Sequence, residues 1–129
     1  MRRALLLVLA VVLVAAGCGG GTKTYTLAKT RACLKAKGVR ISRAPRSDFV
    51  ASTAPGGAFR AELPGNFVTL VFAENDENGD QIEKAYQQFA FPNVKKGLAD
   101  VLKRDGNVIR LWHQHPDTND ESIIRDCLK

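Results

Sequence analysis

Ala4 through Ala16 is an unbroken run of thirteen apolar residues behind the short positive start Met1-Arg2-Arg3. No other feature of the chain constrains its architecture as much. A helix of that length reaches about 20 Å at ~1.5 Å per residue, whereas the hydrocarbon core of a bilayer is about 30 Å thick. The run is therefore too short to span a membrane comfortably. It is also apolar all round, and a helix of a small soluble domain needs a polar face. A buried core helix is the alternative, and the missing polar stripe and the terminal position argue against it. A charged start, a short apolar stretch and small residues behind it have the form of a secretory leader, which is removed from the folded protein.

The run closes on Ala15-Ala16-Gly17-Cys18. This segment resembles the lipobox of bacterial membrane lipoproteins, in which small residues let a signal peptidase fit closely around the cut before an acylated cysteine. Ala15 stands where that family usually has Leu. The resemblance covers the leader and Cys18 only. It implies that residues 1–17 are lost and that Cys18 becomes the acylated first residue. The protein would then sit on membrane lipid at the extracytoplasmic face of the cell membrane. One acyl chain binds a membrane only marginally, whereas several act together. Arg2-Arg3 lacks the surrounding pattern of a twin-arginine signal, so general secretion is expected. Residues 18–25 contain Gly19-Gly20-Gly21-Thr22, which is small and polar and predicts a flexible tether. Residues 26–129 are expected to form one domain.

The chain holds three cysteines. With Cys18 assigned to lipid by the resemblance, Cys33 and Cys127 remain, and they allow one intramolecular pairing. Export implies an oxidising compartment, where such a pair forms a disulfide. The bridge would close nearly the whole domain, which in the chain-entropy model is worth about 4–5 kcal/mol. Two buried free thiols are the alternative.

Loss of the leader leaves 112 residues, enough for one domain with a modest core. A core of that size gains from a covalent staple. Seventeen basic residues then face thirteen acidic ones, a mild excess. There is no dense Lys/Arg block and no aromatic ladder between basic residues, so a nucleic-acid partner is not expected. The excess reads as a solvated basic surface, weakly attracted to anionic lipid headgroups near the anchor.

Leu27 to Lys37 predicts a helix, with Thr26 capping its start and Gly38 ending it. Val39 and Ile41 suggest a short strand, and Pro45, Pro55, Gly56 and Gly57 mark residues 42–57 as an irregular surface loop. Ala58–Leu63 alternates, Pro64-Gly65-Asn66 is turn chemistry, and Phe67–Ala73 is nearly all apolar. Together they predict a hairpin whose second strand is covered on both faces. Asp80 and Glu83 resemble a capping box for a helix over 80–90, stopped by Pro92. Val94, Leu98, Val101 and Leu102 suggest a further helical stretch reaching Gly106. Asn107–Gln114 predicts a third strong strand, and Thr118 with Glu121 opens a last helix carrying Cys127. The fold class is α+β: a small, mainly antiparallel sheet of three to four strands with helices packed on it. The disulfide would pin the first and last helices against one face.

Chemistry-bearing residues are sparse. His113 and His115 alternate along a strand, and an H-x-H pair near Asp117, Asp120 and Glu121 has the residue types of a zinc site, without a third ligand at diagnostic spacing. Glu74, Asp76, Asn78 and Gly79 match the opening of an EF-hand loop, but Ala85 occupies the position of the bidentate acid, so a polar loop is the better reading. Tyr86, Phe89, Phe91 and Trp112 are either core residues or the lining of a ligand pocket, with Tyr86 and Trp112 the ligand-facing candidates. No serine stands in a nucleophile elbow. With no catalytic set and no cofactor motif, the expected function is a non-enzymatic binding or accessory module of the cell envelope. Its ligand would be an envelope protein or a small molecule. The alternatives are a metal-dependent envelope enzyme using His113 and His115, and a protein-interaction or inhibitor domain using the 42–57 loop.

Overall fold

Alternation along Ala58–Leu63 sends Phe59, Ala61 and Leu63 to one side of a strand and leaves Arg60 and Glu62 on the other. The next strand, Asn66–Phe72, has no polar side at its centre: Val68, Leu70, Val71 and Phe72 are all buried. Such a strand must be covered on both faces. The computed structural model describes residues 23–129 and builds the sheet around this strand. The expected leader (residues 1–17), the expected lipidation site Cys18 and residues 19–22 of the expected tether lie outside the described residues.

The elements run α1 (Leu27–Ala36), β1 (Arg40–Arg43), α2 (Phe49–Ser52), β2 (Ala58–Leu63), β3 (Asn66–Phe72), α3 (Asp76–Phe89), α4 (Pro92–Lys95), α5 (Leu98–Val101), β4 (Leu102–Asp105), β5 (Val108–Trp112) and α6 (Thr118–Asp126). The sheet order is β1-β2-β3-β5-β4, every neighbouring pair antiparallel. The architecture is thus α+β with an antiparallel sheet, as expected, and one strand longer than the sequence suggested. Two cores lie on its two faces. On one, Leu34 of α1 and Ile124 of α6 pack on Phe59, Val68, Leu70 and Trp112. On the other, Ala51 of α2, Ile82 and Tyr86 of α3, and Leu98 of α5 pack on Val71 and Ile109.

Cys33 and Cys127 form a disulfide across a sequence separation of 94 residues, with Cα atoms 5.4 Å apart. It joins α1 to the end of α6 on one face of the sheet. The backbone N–H of Thr26 donates to the carbonyl of Lys129 at 2.7 Å beside it. Thr26 caps α1 through its hydroxyl, as its position predicts. Arg110 is buried beneath α6 and is neutralised by Asp105 at 2.8 Å and by Glu121.

Several local expectations are corrected. The 42–57 segment is not wholly irregular: β1 extends to Arg43, and Asp48 caps the one-turn helix α2 by accepting from Ala51 N–H at 2.9 Å. Helix α3 begins at Asp76, not near Asp80, because Asn75 accepts from Asn78 N–H at 2.8 Å and supplies the cap first. Asp80 and Glu83 instead face Arg104. The stretch after Val94 is two single turns, and Leu102–Asp105 leaves the helix to pair with β5. Gly106, at φ +55, makes that hairpin turn in a backbone region few other residues adopt. In α6 the cap is Asp117, one residue before Thr118.

Candidate functional site

The second face of the sheet is covered unevenly, and a cleft opens where α2 meets the end of α3. Its shape follows from two local signals. Asp48 starts α2, so Phe49 occupies the first helical position and projects outward with 72% of its surface exposed. Pro92 stops α3, because the residue before a proline is pushed out of the helical region. Ala90 and Phe91 are accordingly extended, at ψ 137 and 149. The chain turns away from the sheet there, leaving Phe89 68% and Phe91 76% exposed.

The cleft is about 490 Å³ and is lined by Phe49, Val50, Tyr86, Phe89, Phe91 and Val94, among others. Leu98 of α5 and Leu111 of β5 also line it. With Val94, the three phenylalanines are the exposed large hydrophobic residues among the described residues. All four are on this one cleft. Large apolar side chains left exposed together mark an interaction surface, whereas scattered ones carry no meaning. Asp48 is the single charged side chain lining it.

Asp48 is held by two donors. Its Oδ1 accepts from Ala51 N–H, and its Oδ2 accepts from the Tyr86 hydroxyl at 2.8 Å. Burial pushes the Tyr86 phenol far above its ordinary pKa, and the adjacent Asp48 charge and hydrogen bond push the same way. The phenol therefore stays protonated and serves as a donor to Asp48. This pair joins the cap of α2 to α3 beside the cleft.

The residues singled out by sequence fall in four places. Tyr86 lines the cleft, its hydroxyl bonded to Asp48. Trp112 lies on the opposite face of the sheet, 2% exposed, in the core beneath α1 and α6. The two aromatics therefore do not share a pocket. His113 stacks on Phe67 with ring centroids 4.4 Å apart, and the Arg60 guanidinium lies 4.0 Å from the centroid of that ring. His115 instead pairs through Nδ1 with Asp100 at 3.0 Å. The two histidines thus engage different partners. Among the described residues no group of three His, Cys, Asp or Glu side chains gathers to hold a metal ion.

The EF-hand-like segment is a helix start. Asn75 and Asn78 cap α3, while Asp76 joins Asp80 on the Arg104 guanidinium. The Arg104 guanidinium packs closely over Gly79, where a Cβ would stand 2.8 Å from Nη2. Asp48 and Phe49 are the functional candidates that sequence reasoning missed. The signal was present: Ser47-Asp48 is cap chemistry ahead of an apolar pair.

No protein-family model, curated protein or solved structure matches the chain.

Proposed function

We propose that the protein is an exported lipoprotein, acylated at Cys18, whose domain is a non-enzymatic binding module at the extracytoplasmic face of the membrane. The cleft between α2 and the end of α3 is its binding surface. The gathering of Phe49, Phe89, Phe91 and Val94 on one side of the molecule carries the binding part of this reading. Leaving four such side chains in water has no value for folding, because burying each would stabilise the domain by about 1.5–3 kcal/mol. Export is supported by the Cys33–Cys127 bridge, since disulfides persist in oxidising compartments. That bridge uses the two cysteines that remain once Cys18 is given to lipid.

The reading is tested by metabolic labelling with a palmitate analogue followed by membrane fractionation. Wild type should take up label and sediment with membranes. Cys18→Ser should take up none and should retain its apolar leader. Labelling of both forms, or of neither, contradicts the proposal. For the binding part, a photo-crosslinking residue at Phe89 should capture an envelope component, and one at Lys35 on α1 should not.

A further inference from the structure

We propose that the cleft face docks on the bilayer itself, an anionic lipid surface, so that the domain lies on its α2–α4 side rather than standing free on its tether. The inference rests on the lipid-anchored reading and names the partner of the same cleft.

The first argument is reach. Cys18 and Lys23 are separated by five residues, which extend to at most about 17 Å. The carbonyl of Lys23 lies against Gly106, and Tyr25 N–H donates to Asn107 Oδ1 at 2.6 Å. The tether therefore leaves the domain at the β4–β5 turn. Arg104 connects that turn to the start of α3: its Nε donates to the Gly106 carbonyl at 2.8 Å, and its guanidinium pairs with Asp76 and Asp80. From Asp76 to Phe89 the helix advances about 20 Å at ~1.5 Å per residue. The point where the tether joins the domain and the cleft aromatics thus lie toward the two ends of α3. With so short a tether the domain stays close to the lipid surface, within reach of its exposed aromatics.

The second argument is composition. Residues 91–97, Phe-Pro-Asn-Val-Lys-Lys-Gly, are all exposed and include no acidic residue. Phe91 and Val94 are followed directly by Lys95 and Lys96, and Arg46 is exposed just before α2. Apolar side chains that enter the headgroup region, flanked by cations that stay at its surface, are what an interfacial segment needs. The one acidic residue of the cleft, Asp48, already has both carboxylate oxygens satisfied within the protein.

The test uses the mature protein isolated from membranes and placed in vesicles with about one third phosphatidylglycerol, with acylation of Cys18 verified by intact mass. Phe91→Trp introduces an indole at the cleft, and Lys35→Trp introduces one on exposed α1. Both positions are exposed, so neither substitution disturbs a core. The native Trp112 signal is subtracted using wild type. Brominated acyl chains should quench the Phe91→Trp indole at least threefold more than the Lys35→Trp indole. Adding Lys95→Glu and Lys96→Glu should reduce that excess. Equal quenching at the two positions, on protein of the acylated mass, overturns bilayer docking and leaves the lipoprotein reading standing. A Phe91→Trp indole that is unquenched on vesicles yet shielded from aqueous quencher in native envelopes also overturns it, in favour of a protein partner. An unacylated mass overturns both.

Discussion

The Tyr86 hydroxyl donates to Oδ2 of Asp48, joining the last turns of α3 to the cap of α2 across the cleft. One short helix is thereby held by a single carboxylate that performs two tasks. Tyr86→Phe removes the donor and leaves Oδ2 without its partner. Because Asp48 is half-buried, the loss should be about 1–2 kcal/mol, as for a hydrogen bond to a charged group. Urea unfolding should report a lower midpoint with unchanged slope, and amide exchange at Ala51 should quicken. An unchanged midpoint would show that the pair does not hold the cleft.

Phe89 and Phe91 carry the opposite expectation. Both are mostly exposed, so Phe89→Ser with Phe91→Ser should change stability by no more than about 0.5 kcal/mol. The same pair should abolish capture by a photo-crosslinking residue placed at Phe49, the third exposed aromatic of the cleft. A large drop in thermal midpoint would mean that these rings support the fold and not a partner.

Arg104 ties β4 to α3 through Asp76, Asp80 and the carbonyl of Gly106. Its side chain is mostly buried, while Asp76 and Asp80 are more than half exposed and would be solvated on its loss; Arg104→Ala should therefore cost about 1 kcal/mol, mainly the bond to the Gly106 carbonyl. Exchange of amides in the first turns of α3 should accelerate ahead of those in β3. Uniform acceleration throughout the sheet would contradict a local role.

Asp120 gives the pH dependence. Burial raises its carboxyl above the ordinary carboxylate range; the Asn66 hydrogen bond lowers it, and the neighbouring Asp117 charge raises it again. Its folded pKa exceeds its unfolded one, so the folded state holds the proton longer. Its contribution to stability is therefore greatest below the ordinary carboxylate value and is lost as pH rises through the raised one. A carboxyl-carbon titration by NMR should place Asp120 above the ordinary carboxylate range. A midpoint at or below the usual carboxylate range contradicts this.

The legible parts of the fold were those where one local signal dominates. The β2–β3 hairpin has alternation on one strand, a Pro-Gly-Asn turn, and an apolar second strand. The bridged α1 and α6 followed from cysteine counting once Cys18 was set aside. Strand β4 was illegible because Leu-Lys-Arg-Asp carries one apolar residue. Its place in the sheet is fixed by the Gly106 turn, by Asp105 pairing with Arg110 of β5, and by Arg104 reaching Asp80 and Asp76 of α3, 24 and 28 residues away in sequence. The start of α3 was misplaced because residues 76–81 show no apolar period, and two candidate caps compete. Trp112 could not be assigned a face, since β5 is buried on both. At the cleft, Tyr86, Phe89 and Phe91 were visible as an aromatic group. Their division between core and surface depends on the break before Pro92 and on α2, which is too short to show a period.

We propose an exported chain with lipid on Cys18 in addition to its Cys33–Cys127 bridge, and the intact mass of the membrane-extracted protein, alkylated before and after reduction, reads out both together. Expected are loss of residues 1–17, added acyl mass on the new first residue, no alkylation before reduction and two alkylated thiols after it. A chain still carrying Met1 or its leader, with three thiols open to alkylation without reduction, would contradict it.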